Sequence, residues 1–475
     1  MEITNIKQLE GTHSYLTHLS DIKVLKALDG YGQTGQTLER QDLEGDMERL
    51  NILETPFYER LGKVRATALD HEYNVVTSRQ DKIGYACYRE GSVPREVEFE
   101  VQRRRILPSF IGHRITMTEL VTATTEHGVS QIEQVAKDEK IVAVMEETEY
   151  QLFYGDRRFG SNDMSSSQNL QFNGIERIIK NGAPQNILDL GGKPLSLGAL
   201  WAAENKVYQT QGLARPDTVF ISPVDKINLQ ASFYNLARVT SQADRAAGVL
   251  GANAQSFISA FGESELIPSR FVGNFHRFTD QPSGNPAGDF ARPLPSVATG
   301  VAAETIALEG LPVGKYRYAV KAASFNGEAQ AVETSTVEIV NNTSQARISL
   351  GTVHPSTKFH LVYRAEVHSD GTQGEYKFLR KVPYFGKGTT DIIDDGHETL
   401  SSAYGEFRYK KIPGTGTVFG VDMKTTNLAS WIGLELMPLP QTLNRDWVVR
   451  HVVALFSRAP EFSYAIVNVS QESIV

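Results

Sequence analysis

Residues Gly128 to Asp156 read G-V-S-Q-I-E-Q-V-A-K-D-E-K-I-V-A-V-M-E-E-T-E-Y-Q-L-F-Y-G-D. Ser130 followed three residues later by Glu133 is a capping box, in which each side chain satisfies a backbone N–H that the first helical turn leaves without a partner. No proline interrupts the chain from there to Tyr154, and Gly155 supplies a stop suited to the left-handed conformation. The stretch therefore predicts one long helix over 130–154, about 25 residues and roughly 38 Å in length. Ile132, Val135, Ile141, Val142, Met145 and Leu152 keep to one half of its circumference, but Glu139, Glu146 and Glu149 interrupt that half. Such a helix is not expected to be wholly buried. It suits a thin layer in which one side packs on a sheet and the acidic positions meet neighbouring chains.

Around this helix the chain has 475 residues, enough for roughly three domains that each bury a core. Hydrophobic content of 40% and charge of 22% are those of a soluble, folded protein. The net charge of −8 and a pI near 5.8 exclude a global electrostatic pull onto nucleic acid or an anionic membrane. A single cysteine, Cys87, excludes an intrachain disulfide framework and a cysteine-rich zinc site, in keeping with a reducing place of synthesis. The opening M-E-I-T-N-I-K-Q-L-E lacks an apolar run, so no secretory signal is expected. Without export, the N-x-S/T triplets at Asn341, Asn342 and Asn468 read as chance.

Upstream of the helix, residues 1–63 are polar with scattered Leu and Ile, an arm that needs something to lie against. Gly30-Tyr31-Gly32-Gln33-Thr34-Gly35 has the glycine spacing of a dinucleotide fingerprint, but the preceding Leu16, Leu19, Ile22 and Leu25 have helical spacing and no βαβ unit follows. It reads as a turn in an extended arm. Residues 64–118 read as a long two-stranded hairpin, because Val97, Phe99 and Val101 alternate with Glu96, Glu98 and Glu100 on the returning limb. Arg103, Arg104 and Arg105 follow at once. Acidic and basic residues segregated this way make the hairpin complementary to a copy of itself or to a neighbour's flank; a solvated charged hairpin is the plain alternative.

Downstream, 119–183 holds the helix and a Ser/Asn/Gly-rich stretch, and 184–290 alternates short strands with helices as an α/β body. Pro282, Gly284, Pro286, Gly288, Pro293 and Pro295 then mark a linker. Across 291–405 the pattern is all-β, with runs such as Tyr316 to Ser324 and Phe359 to Ala365 and turns at Asn326-Gly327 and Asp370-Gly371, which predicts a β-sandwich on two flexible linkers. Pro413-Gly414-Thr415-Gly416 is the return linker, and 406–475 closes the chain in strands. The overall class is α+β.

The chemistry-bearing motifs are absent: there is no G-x-S-x-G, H-E-x-x-H, phosphate-binding P-loop or EF-hand loop, and the eleven histidines are scattered. No catalytic, cofactor-binding or metal-binding residue is assigned, and no enzyme activity is expected. Asp391, Asp394, Asp395 and Glu398 cluster near the end of the sandwich as a weak candidate for a cation. Glu146, Glu147 and Glu149 imitate paired catalytic carboxylates, but read better as an ion-pairing face.

The order of parts carries a resemblance. An arm with G-Y-G, a charged hairpin, a capped helix ending in E-Y-Q-L-F-Y-G-D, the segment Leu170-Gln171-Phe172-Asn173-Gly174, an α/β body and a closing L-E-L-M-P-L-P-Q before F-S-R-A-P resemble the major capsid proteins of tailed bacteriophages, in particular those of large contractile-tailed phages. The resemblance implies the Hong Kong 97-type fold: an N-terminal arm, an extended hairpin (E-loop), a peripheral (P) domain with the spine helix, and an axial (A) domain. Val301 to Ser324 and His360 to Ala365 look like the immunoglobulin or fibronectin type III-like insertion that some members carry. The implied function is self-assembly, as hexamers and pentamers, into an icosahedral shell enclosing double-stranded DNA without sequence-specific binding. The implied partners are further copies of the chain, portal, and minor capsid, decoration or scaffolding proteins; no membrane is expected, and the insertion would face outward toward host-surface glycans. The expected intersubunit contacts are Glu96, Glu98, Glu100, Arg103, Arg104, Arg105, Glu139, Glu146 and Glu149. Lys82 is a hairpin lysine of the kind that cross-linked members use, with no matching partner motif. An encapsulin-like compartment and an enzyme with an accessory sandwich are the alternatives.

Overall fold

The computed structural model describes residues 54–68, 70–79, 87–93, 99–118, 132–157, 171–211, 215–236, 255–273 and 298–472, the last with short gaps at 307–308, 325–326, 352, 355–356, 358, 369, 384–390, 403–404 and 440–443. Contacts divide the chain into two units, residues 1–52 with 117–135 and residues 53–116 with 136–475. Of the first, only 117–118 and 132–135 are described; residues 1–53 of the arm, Ser130, Glu96, Glu98, Lys82 and the linker at 282–295 lie outside the described residues.

The long helix is present as α2 (Ile132–Tyr154), preceded in the chain by a five-residue helix, α1 (Pro56–Arg60). Gly155 does not end α2 as expected. Its φ is not positive, and its N–H still donates to Gln151 O at 2.8 Å as in a continuing helix. A Cβ there would sit 2.5 Å from both Gln151 O and Phe172 O. Close approach of a second backbone, rather than left-handedness, demands the glycine. The burial of α2 is also greater than its acids predict. Val144, Thr148, Glu149, Gln151, Leu152 and Phe153 are all buried, so the C-terminal half is enclosed on several sides.

Its enclosure is a pair of sheets. Strands β5 (Ile187–Asp189), β6 (Thr218–Ile221), β7 (Ser256–Ser259), β8 (Gly262–Pro268), β20 (Thr415–Val421) and β23 (Tyr464–Ser470) form a mixed sheet in the order β5-β23-β20-β6-β8-β7. The helix Leu197–Gln211 packs on it through Ala199, Leu200, Ala203 and Val207. Strands 6 and 20 read as short apolar runs because the sheet is covered on both faces. Phe57 of α1, Phe153 of α2, Phe220 of β6 and Phe419 of β20 meet where helix and sheet join: ring centroids lie 5.0 Å apart for Phe57–Phe153, 4.7 Å for Phe57–Phe220, 5.3 Å for Phe153–Phe220 and 5.9 Å for Phe153–Phe419. Residues 54–60, read from sequence as part of a coreless arm, thus contribute one of the most buried side chains in the chain, Phe57.

Among the described residues of the hairpin, 64–118, β2 (His71–Arg79) and β3 (Phe99–Ile106) pair with each other, antiparallel from His71↔Ile106 outward. Its flanks belong to a separate four-stranded sheet, in the order β1 (Gly62–Arg65), β21 (Thr426–Pro438), β22 (Asn444–Ser457), β4 (Ser109–Thr118). The cause is apolar: Ala66, Ala429 and Phe456 form a small core that holds β1 beside β21, and the hairpin leaves the body only beyond it.

Residues 298–394 form two antiparallel sheets. One has β10 (Gly314–Ser324) between β11 (Gly327–Glu328) and β15 (Phe359–Val367), with β16 (Lys377–Pro383) outside β15 and short strands also on β10. The other has β14 (Ser344–Leu350) between β17 (Asp391–Asp394) and β9 (Ala298–Thr305). Tyr318, Val320 and Val362 of the first and Ala346, Ile348 and Ile392 of the second share one buried core, which makes a sandwich. Its return to the body is pinned, not flexible. Lys180 on the helix Ile175–Gly182 reaches Glu398 at 2.6 Å and Glu176 at 2.8 Å, and Tyr409 Oη donates to Glu398 at 2.8 Å. Gly414 N–H donates to Phe378 O at 2.8 Å. Asn468, with φ 55°, accepts Ile412 N–H at 3.1 Å and donates to Asp189 at 2.7 Å.

Truncating Phe153 to alanine removes the ring common to three of the four aromatic contacts and leaves a cavity the sheet cannot close. Urea unfolding is expected to show a loss of about 3–5 kcal/mol; a loss below about 1 kcal/mol would mean that the joint repacks.

Candidate functional site

The elements meeting at the C-terminal end of α2 build two adjoining features. In the first, α1 is too short to satisfy itself. Its N-cap, Thr55, makes no side-chain cap, so the N–H groups of Phe57 and Tyr58 turn to another helix: they donate to the two carboxylate oxygens of Glu149, each at 2.9 Å. Beside it Tyr58 Oη lies 3.4 Å from His451 Nε2, and His451 Nδ1 lies 3.3 Å from Thr148 Oγ1. The Thr148 hydroxyl already donates to Val144 O at 2.7 Å, so it accepts from His451, which places the imidazole proton on Nδ1. Burial pushes Glu149 up to about 7, against the two N–H bonds that favour its charged form. Burial, helped by the Lys63 charge, pushes His451 down to about 4.

The second feature is the joint between F-Y-G-D and Q-F-N-G. Gly174 N–H donates to Gly155 O at 2.8 Å, Asp156 N–H to Gln171 Oε1 at 3.2 Å and Arg157 N–H to Asn173 Oδ1 at 3.0 Å. A Cβ on Gly174 would lie 2.6 Å from Gln151 O and 2.7 Å from Gly155 N. The two segments, 15 residues apart between Asp156 and Gln171, therefore act as one interlocked turn that caps α2 and starts the next helix. Against this turn and the hairpin root opens a cavity of about 430 Å³, walled by Tyr73, Arg104, Arg105, Arg157, Asn173 and Phe456 among others.

The residues expected to meet neighbouring chains divide accordingly. Glu149 is corrected: it is buried and both oxygens are used within its own chain, because the orphan N–H groups of α1 need them. Glu146, partly exposed, pairs with Arg270 of its own chain. Glu139 lies half-buried on α2, while Glu100, Arg103 and Arg105 are exposed on the hairpin. Arg103 reaches Glu72 at 3.3 Å and Arg105 reaches Asp70 at 3.7 Å, and Arg104 sits beside Gln102 and Tyr73. The candidate cation cluster is also corrected, since Asp391 binds Arg347, Asp394 binds Arg364 and Arg380, Asp395 binds Arg408, and Glu398 binds Lys180. Among the described residues no group of three or more His, Cys, Asp or Glu is placed to hold a metal ion, and no described helix is long and apolar enough to cross a membrane. Sequence reasoning did not single out Phe57, Tyr73 or Arg157 for these features. The paired F-Y-G-D and F-N-G segments were the signal that two loops belong together.

Replacing Gly174 by alanine forces apart the interlocked backbones, so the soluble, folded subunit is expected to be lost or to melt at least several degrees lower; an unchanged melting curve would refute the close approach. For Glu149, the folded chain keeps a proton up to about 7 that an ordinary carboxyl releases near 4.5. Its contribution to stability therefore falls as pH rises through that window. His451 works the other way, since the unfolded imidazole takes a proton near 6.5 that the folded one refuses until about 4. Comparing the native chain with Glu149→Gln cancels the histidine: the difference in unfolding free energy should shift against the native chain as pH rises from 4.5 to 7, and a pH-independent difference would count against it.

No curated protein sequence matches the chain. Among solved structures, the capsid of Cyanophage A-1(L) is 7% identical, with 92% of this chain and 98% of that chain covered and a TM-score of 0.45. The capsid of Cyanophage P-SCSP1u is 9% identical over 91% and 94% of the two chains, TM-score 0.42. The holo-SrpI encapsulin complex from Synechococcus elongatus is 11% identical over 94% and 95%, TM-score 0.36. Overlaps of this size do not separate a capsid from an encapsulin, whereas the sequence family does. Residues 29–284, more than half of the chain, match the family model of the SU10 major capsid protein, and the chain belongs to that family.

Proposed function

We propose that the chain forms an icosahedral shell of hexamers and pentamers around double-stranded DNA, with the Hong Kong 97-type division of labour. The family match across 29–284, which spans the hairpin, α2 and the start of the mixed sheet, carries this reading. In it α2 is the spine helix, β2 and β3 are the E-loop, the four-stranded sheet belongs to the P domain and the six-stranded mixed sheet to the A domain. A two-stranded ribbon of exposed charged residues has little core of its own, and such a ribbon gains its burial from another subunit. The net charge of −8 lets packaged DNA lie along the inner wall without sticking. The sandwich of 298–394 is the immunoglobulin-like insertion, outward-facing and available to decoration proteins or host glycans. No chemical step is assigned to any residue.

Expressed chain passed through size exclusion and negative-stain electron microscopy should give closed shells or six- and five-fold capsomers, with sandwich density outside the wall. Particles from infected cells should hold duplex DNA. Particles filled with an enzyme would favour the encapsulin alternative, and a chain that stays monomeric even with its cognate scaffolding protein would overturn the reading.

A further inference from the structure

Between the F-Y-G-D joint, the end of β3 and the end of β22 lies the cavity of about 430 Å³. That volume falls among the roughly 300–1,000 Å³ of sites that take small organic molecules. Its wall carries three guanidinium groups, from Arg104, Arg105 and Arg157, and no carboxylate is among the described residues that line it. Two amides add donors. The side-chain oxygens of Gln171 and Asn173 accept the N–H groups of Asp156 and Arg157 at 3.2 and 3.0 Å, so the other half of each amide is its NH2, which can only donate. Against these, the C-terminal end of the helix Ile175–Gly182 reaches the cavity at Asn181 and Gly182 and brings about half a negative charge. Three full positive charges outweigh it.

The contacts that Arg104 and Arg105 already make are weak ones. Arg105 reaches Asp70 only at 3.7 Å and from an exposed position, where an ion pair contributes little. Arg104 meets neutral partners, the Gln102 side chain at 3.3 Å and the Tyr73 hydroxyl. A bound oxyanion offers each guanidinium paired, charge-assisted acceptors instead. The other side of the cavity is apolar and aromatic: Phe172 and Phe456 are buried there, and the Tyr73 ring lies 4.9 Å from that of Phe456. Such a wall suits a ligand with a flat apolar body and an anionic end. A phosphate monoester carries about −1.5 to −2 at pH 7 and matches three arginines better than a singly charged carboxylate does.

We propose that this cavity binds a phosphate monoester carried on a flat aromatic body, the chemistry of a nucleoside monophosphate, with the phosphate on Arg104, Arg105 and Arg157 and the base against Tyr73 and Phe456. Free nucleotide and the 5′ phosphate that ends a DNA strand both present this group. The residues that would hold it come from one chain, so binding needs no second copy and stands apart from the shell reading. Arg104 and Arg105 belong to β3 and Arg157 follows α2, so a bound phosphate joins the root of the hairpin to the end of the long helix.

Isothermal titration calorimetry of the purified full chain in phosphate-free buffer tests this, with adenosine 5′-monophosphate, adenosine and inorganic phosphate as probes. The nucleotide should bind once per chain and at least about tenfold more tightly than either fragment, since each fragment has only half of the matching chemistry. R104Q/R105Q and R157Q should each weaken the nucleotide by at least about tenfold while the unliganded chain keeps its native melting curve. If a variant melts lower, the three probes on the native chain decide alone. Adenosine binding as well as the nucleotide, no nucleotide binding at about 1 mM, or an unchanged affinity in both arginine variants overturns the proposal. An oligonucleotide with a 5′ phosphate that displaces the nucleotide gives the site to strand ends, and one that does not gives it to free nucleotide; both results uphold the phosphate site.

Discussion

The burial of Phe153 at the end of α2 is the constraint on which the other parts of the second unit depend. Its ring touches Phe57, Phe220 and Phe419, which come from a short helix, an inner strand near the middle of the chain and a strand near its end. Aromatic pairs at such separations contribute about 0.5–1.5 kcal/mol each beyond the area they bury. Four segments far apart in sequence are thereby placed at one point. Glu149 stands one turn earlier on the same helix and holds α1 by its N–H groups, so the apolar contact and the polar one fix the same short helix from two sides.

A buried carboxyl next to a buried imidazole makes this joint electrostatically expensive. Both groups stay neutral over part of the pH range in which they would ionise in water, and their contributions to stability run in opposite directions through overlapping windows. Charge elsewhere is handled by pairing. Lys180 is buried with Glu176 and Glu398, which hold it charged, and their charges hold the ribbon after the sandwich on the body. Lys381 of the sandwich is half-buried near α2, 5.2 Å from the ring centroid of Tyr150, and desolvation pulls it down to about 8 while Glu147 acts against that pull. Removing one partner from such a set leaves an uncompensated charge, which costs more than the pair contributes.

The hairpin contrasts with all of this. Its pairing carries a register shift between Val76 and Ser78, its apolar support ends at Phe456, and its described charges Glu100, Arg103 and Arg105 lie at the surface. A protein that invests burial in α2 and leaves a charged ribbon exposed has separated what folds the subunit from what is available to other subunits. The shell reading follows from that separation together with the family to which the chain belongs.

Several features were legible in the residues alone. The long helix follows from its capping box and a proline-free stretch of helical spacing, the strands of the mixed sheet from short apolar runs between turns, the sandwich from alternation and Asp370-Gly371, and the charge split of the hairpin from the order of Glu and Arg. All of these depend on neighbours within a few positions, where backbone sterics and side-chain periodicity act directly. Only the tertiary structure decided that Gly155 serves close approach and not a left-handed turn, that Glu149 faces inward, that Phe57 belongs to the core, that the cluster around Asp394 is neutralised by arginines, and that Asn468 pins the return from the sandwich. Each of those depends on a partner tens to hundreds of residues away. A glutamate on a helix looks the same in sequence whether its carboxylate meets water or two unpaired N–H groups; which it meets is set by the segment that packing brings beside it.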